Sequence, residues 1–110
     1  MSDYMKQEYS DRFDELRKNR VAVSYHKYGS AKKNFKTGNV QAIPTMNLCL
    51  EEDNRTGNTE YLLDAANYLM FEFMYPQHEK AHFRATDSRE SAGIVGISEK
   101  EMERYKEEFR

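Results

Sequence analysis

The stretch from Thr56 to Met74 constrains this chain more than any other. Gly57 suits the left-handed residue that closes a preceding helix. Asn58 or Thr59 can cap the helix that follows. Tyr75-Pro76 ends that helix, because proline cannot continue it and disfavours helical geometry in the residue before. At about 100° per residue, Leu62, Leu63, Ala66, Leu69, Met70, Phe73 and Met74 share one broad apolar face. Glu60, Asp64, Asn67 and Phe71 form a second stripe, roughly 60° wide. An apolar face that broad predicts a helix at the centre of a bundle. Glu60 and Asp64, one turn apart at its edge, repel each other unless something positive sits between them.

The 110 residues are enough for one domain. Residues 1–75 read as a helical core, and 76–110 as an arm and a C-terminal helix of the same domain. The first helix is expected from residue 3 to about 28, with Ser2 as cap. Met5, Tyr9, Phe13, Leu16, Arg20 and Val23 recur along it at spacings of three and four. Gly29 closes it. Residues 29 to 39 read as a polar, basic loop. The second helix covers about 40 to 54, and either its regular part starts near Pro44, where proline is tolerated in the first turn, or it is kinked there. Ile43, Met46, Leu48, Cys49 and Leu50 supply its apolar side. From Gln77 to Gly96 the chain reads as an extended arm or loop, with His82-Phe83 packing back on the bundle. Ser98-Glu99-Lys100-Glu101 is a capping box for a last helix reaching about Phe109. The fold class is all-α: three main helices in a bundle plus a short C-terminal one.

A net charge of −2 and a pI of about 5.9 point neither to sequence-specific nucleic acid nor to a membrane surface. No run approaches the roughly 18 apolar residues of a membrane span. Met1-Ser2-Asp3-Tyr4 lacks the regions of a signal peptide. Cys49 is the single cysteine, which excludes a disulfide framework. It reads as a small buried hydrophobe. These features predict a soluble, cytoplasmic protein.

The short turn at Gly57 makes the second and third helices antiparallel neighbours. Glu51 or Glu52, late in the second helix, then approaches Glu60 and Asp64. Carboxylates converging in this way make an oxygen-rich site suited to magnesium or manganese. The alternative pairs Asp64 with a lysine, an arginine or a tyrosine hydroxyl of the first helix.

The run Gly57-Asn58-Thr59-Glu60-Tyr61-Leu62-Leu63-Asp64-Ala65-Ala66-Asn67 resembles the third-helix signature of the MazG-like all-α nucleoside triphosphate pyrophosphohydrolases. The long first helix ending in Lys27-Tyr28-Gly29 is similar too. The resemblance implies magnesium held by Glu60 and Asp64 with Glu52 or Glu51, Asn67 near substrate, and oligomeric assembly. The implied reaction is cleavage of a nucleoside triphosphate to monophosphate and pyrophosphate. Two departures stand out. The family's acidic motif of the second helix is replaced by Ala42-Ile43-Pro44-Thr45-Met46-Asn47, and the Glu60–Asp64 spacing is one residue longer than the commonest form. The competing reading is therefore a non-catalytic helical protein that binds a partner or a nucleotide through a degenerate metal site.

Lys27, Lys32, Lys33 and Lys36, with Tyr25 and Tyr28 nearby, form a basic and aromatic cluster suited to triphosphate oxygens and a stacked base. His78-Glu79-Lys80-Ala81-His82 matches the pattern of a zinc peptidase, whose histidines bind zinc from one helix face. Its flanks are polar, and Pro76 precedes it closely. The apolar surface of three amphipathic helices exceeds what so short a bundle covers, which predicts a homo-oligomer, dimer or tetramer.

Overall fold

The computed structural model describes residues 3–108. Helix α1 (Asp3–Glu8) is followed by α2 (Asp11–Tyr28), a π-helical turn (Lys32–Lys36), α3 (Ala42–Thr56), α4 (Glu60–Met74), a 3-10 turn (Ser88–Glu90) and α5 (Glu99–Glu108). The architecture is all-α, and α4 is its centre: it packs against both α2 and α3, most extensively against α3. No helix among the described residues is long and apolar enough to cross a membrane.

The helix boundaries follow local chemistry. Gly57 adopts φ 74°, ψ 7° and its N–H bonds to the Asp53 carbonyl, closing α3. Asn58 Oδ1 accepts from the Glu60 N–H, while Thr59 makes no side-chain cap. Gln41 precedes α3, and Pro44 lies in its first turn, where no intrahelical N–H is lost. At α5, Ser98 Oγ accepts from the Glu101 N–H and the Glu101 carboxylate accepts from the Ser98 N–H, so the capping box forms. The expected Ser2 cap and Phe109 lie outside the described residues.

Three expectations are corrected. The first helix is not continuous, because Ser10 caps a new one by accepting from the Phe13 N–H at 3.0 Å. The basic segment is not a bare loop. Its π-helical turn carries Phe35 into the core, where the ring stacks on Phe71 with centroids 4.6 Å apart and meets Tyr68 edge-on at 6.0 Å. The third correction concerns which side of α4 faces inward. Ala65, Asn67 and Phe71 are buried, whereas Leu62, Leu69, Phe73 and Met74 are exposed. Of the expected face, Met70 does pack against the core cluster.

The remaining apolar side of α3 is likewise turned partly outward. Ala42 is buried and Cys49 half-buried, but Ile43, Leu48 and Leu50 are exposed. Between Pro76 and Ser98 the chain has no regular structure apart from the 3-10 turn, and Phe83 stands in solvent instead of packing back.

Phe35 reports directly on the docking of the π-helical turn. Phe35→Ala should cost about 3 kcal/mol in urea unfolding, the range of a buried aromatic truncation. A change below about 0.5 kcal/mol, as for a surface residue, would show that the turn is not part of the core.

Candidate functional site

The interface between α2 and α4 is held by polar groups. α2 buries none of its residues. Arg20 reaches across and grips Asp64 with both branches of its guanidinium, Nε to Oδ1 at 3.0 Å and Nη2 to Oδ2 at 3.1 Å. Its Nη1 lies 3.5 Å from a Glu60 carboxylate oxygen. One positive charge therefore sits between the two acids that the spacing had set against each other. The hydrogen bonds that Arg20 donates to Asp64 raise its pKa above the ordinary value; burial opposes this, and the charges of Asp64 and Glu60 add to it. Of the two partners foreseen for Asp64, the structure contains the arginine of the first helix.

One turn further along, Asn67 is 5% exposed. Its Nδ2 donates to the Arg17 backbone carbonyl at 3.0 Å. That bond fixes the amide, since only the nitrogen can donate to a carbonyl. Oδ1 is left buried with no hydrogen-bond partner. Arg17 itself bonds the Met70 sulfur and the Asp14 carboxylate, a second polar tie between the helices.

A cleft of about 300 Å³ lies between α2, the π-helical turn and α4. Arg20, Asp64 and Asn67 are its polar wall. Tyr25, Tyr28, Phe35, Tyr68 and Phe71 are its aromatic wall. Ser24 and Asn34 complete the rim, Asn34 being held by its side chain to the Tyr28 carbonyl. Burial pushes the Tyr68 hydroxyl above its usual pKa.

The acidic set foreseen for a metal divides. Glu60 and Asp64 are together on Arg20. Glu52 is paired instead with Arg55, Nε to Oε2 at 3.0 Å, and that contact lowers its pKa. Glu51 is exposed. Among the described residues, no group of three or more His, Cys, Asp or Glu is placed to hold a metal ion. Two carboxylates already neutralised by a guanidinium fall short of the oxygen shell magnesium requires. The arrangement as it stands is an ion-pair clamp.

Lys27, Lys32, Lys33 and Lys36 are all exposed, the last three on the turn that supplies Phe35 and Asn34 to the cleft. None of the four lines the cleft. His78 and His82 lie on irregular backbone, where each ring binds the Lys80 main chain: His78 Nδ1 accepts from its N–H and His82 Nδ1 meets its carbonyl. They do not share a helix face, so the zinc-peptidase geometry is absent there. Comparison with protein-family models, with curated proteins and with solved structures found no match to this chain.

Sequence reasoning singled out Asp64, Glu60 and Asn67 but not Arg20 as their partner, nor Phe35, Tyr68 and Phe71 as a wall. The available signal for Arg20 was its place among the periodic apolar residues of the first helix, a position that a cation occupies when it has a buried partner.

The Arg20–Asp64 pair should couple energetically. A double-mutant cycle with Arg20→Met and Asp64→Asn should yield an interaction of about 1 kcal/mol, with each single variant less stable than wild type. Additive effects would mean that the clamp contributes nothing. The raised Tyr68 pKa sets a pH dependence as well. The unfolded tyrosine ionises first, near pH 10, so stability is full below that pH and falls as pH rises towards the folded value. Urea midpoints between pH 8 and pH 11 should therefore fall more steeply for wild type than for Tyr68→Phe; parallel curves would contradict this.

Proposed function

We propose that this chain is a nucleotide-binding helical protein that assembles as a homo-oligomer, related in design to the MazG-like pyrophosphohydrolases. The observation that carries the reading is the Asn67 carbonyl, a buried acceptor without a partner in the wall of an aromatic-lined cleft. A buried polar atom left unsatisfied costs about 1–3 kcal/mol, and such costs concentrate where a ligand supplies the missing bond. The ligand must present an N–H or O–H to that oxygen and a flat face to the rings. A nucleobase does both. The cleft is at the small end of the range for ligand pockets, which suits a base or nucleoside, with any phosphates lying outside near Lys32, Lys33 and Lys36. The reading is one of binding without hydrolysis, since Arg20 occupies the carboxylates that would hold a metal.

Magnesium- or manganese-dependent cleavage is the second reading. What favours it is that Glu60 and Asp64 stand together on one cation, two carboxylates that would supply part of a divalent ion's oxygen shell.

Thermal unfolding with nucleosides, monophosphates and triphosphates tests both. Ligand binding to the folded state alone stabilises it by about 2.7 kcal/mol at one hundred times Kd. Nucleotides should raise the melting temperature of wild type without added metal. Asn67→Leu should fold with stability within about 1 kcal/mol of wild type, since it removes an unsatisfied group along with one bond, and should lose the shift. No shift with any nucleoside or nucleotide at millimolar concentration overturns the binding reading. A further rise with magnesium or manganese that Asp64→Asn abolishes would put the second reading in front.

A further inference from the structure

We propose that residues 25–36, the end of α2 together with the π-helical turn, form a binding surface for single-stranded nucleic acid. The strand is held by its phosphates and its base faces, without regard to sequence. This deepens the nucleotide reading above, and rests on it where one base of the strand enters the cleft.

The small net charge conceals a segregation of sign. Between positions 16 and 50 the chain carries seven Lys or Arg and no Asp or Glu, although the whole chain has 17 of the first kind and 19 of the second. That span builds most of α2, the π-helical turn and the first half of α3. Two of its cations are engaged, Arg17 with Asp14 and Arg20 with Asp64 and Glu60. Lys27, Lys32, Lys33 and Lys36 are exposed, and none of them makes an ion pair among the described residues. On α4, Glu72 is taken up by the Gln77 N–H. Unpaired charges of one sign on adjoining segments repel one another, and a polyanion relieves that repulsion.

Aromatic rings are interleaved with these amines. Tyr25 and Tyr28 are 61% and 71% exposed, and both line the cleft. At Gly29, with φ 82°, α2 ends and the chain passes into the turn. Asn34 ties the turn to α2 by donating to the Tyr28 carbonyl at 3.0 Å, and the Phe35 carbonyl accepts from Gln77 Nε2 at 2.8 Å. Ala31, Asn34 and Phe35 also line the cleft, so Lys32, Lys33 and Lys36 alternate along the chain with residues of its wall. Exposed ring faces among unpaired amines suit a single strand. Its bases have free faces to stack on tyrosine, and its phosphates take the lysines. A duplex hides those faces, and a polyacidic peptide uses the lysines alone.

Fluorescence anisotropy of labelled oligouridylate and oligothymidylate, each about 12 nucleotides long, with the full chain tests the proposal. Wild type should bind at about 50 mM salt. The logarithm of its association constant should fall against that of salt with a slope of about −2 to −3, as for three or four phosphates. The combined variant Lys32→Ala, Lys33→Ala, Lys36→Ala should bind at least tenfold more weakly, with a slope below about 1 in magnitude. Tyr28→Ala should bind at least about fivefold more weakly with the slope unchanged, the signature of a lost stack. Lys6→Ala, Lys80→Ala and Lys100→Ala together remove the same charge elsewhere and should change nothing. All the substituted side chains are exposed, so each variant keeps the fold. Binding of either oligonucleotide in this pattern supports the proposal, the tighter one naming RNA or DNA as the strand. No binding of either, equal binding of polyglutamate or of the corresponding duplex, or equal loss in the control variant overturns it. A protein whose melting nucleosides leave unshifted, but which binds the oligonucleotide in this pattern, overturns the nucleoside reading alone. One that nucleosides stabilise and no oligonucleotide binds overturns this surface alone.

Discussion

The structure depends on one guanidinium. α2 brings no buried residue of its own, so hydrophobic burial alone does not fix it to α4. Arg20 does so instead, binding Asp64 through two parallel N–H···O bonds and standing beside Glu60. A bidentate fork fixes rotation as well as distance, and so sets which face of α2 meets α4. It also removes the repulsion between two acids one turn apart. With the fork in place Arg17 comes into register, its side chain on the Met70 sulfur and its carbonyl on Asn67. The cleft is the space that this polar join leaves open, and the π-helical turn closes its far side with Phe35.

Much of the backbone was legible because it is written in local chemistry. Gly57, Pro44, Pro76 and the Ser98–Glu101 box each act within a few residues of themselves, so position in sequence suffices. Ser10 acts just as locally, but the apolar period of the flanking residues runs through it and masks the break. Phe35 was hidden for the opposite reason. A single ring among lysines has no period, and only the Phe71 ring opposite gives it a place.

The inward side of α4 was misread for a reason that reaches further. Hydropathy reports how wide an apolar face is, not which sector the same chain covers. Leu62, Leu69 and Phe73 are as apolar as any core residues, and counting them as core follows from hydrophobicity alone. The chain instead turns Asn67 and Phe71 inward. Asn67 is buried because its amide can bond the α2 backbone, a long-range contact that nothing in the sequence near it announces. The pairing of Asp64 with Arg20 is equally long-range. The acids of the site were therefore legible, and their cation only as one of several partners the first helix offered, not as Arg20 in particular.

The two unmet needs of α4 lie on different sides of the same helix and differ in kind. On one side is an area deficit, where exposed leucine and phenylalanine side chains lack a surface to pack against. That deficit is diffuse, worth about 25 cal/mol per Å² for any apolar partner that fits. On the other is a single oxygen, Asn67 Oδ1, whose deficit is directional and is met only by a donor in one place. Only Phe35, Ala42, Ala65 and Phe71 are buried apolar residues among those described. Against so small a core, an unsatisfied buried acceptor is a large fraction of net stability, which for a domain of this length is 5–15 kcal/mol at most. A leucine at position 67 would remove that cost without disturbing the helix. What the asparagine supplies in return is the bond from its Nδ2 to the Arg17 carbonyl, a directional tie between α2 and α4 that a leucine could not make.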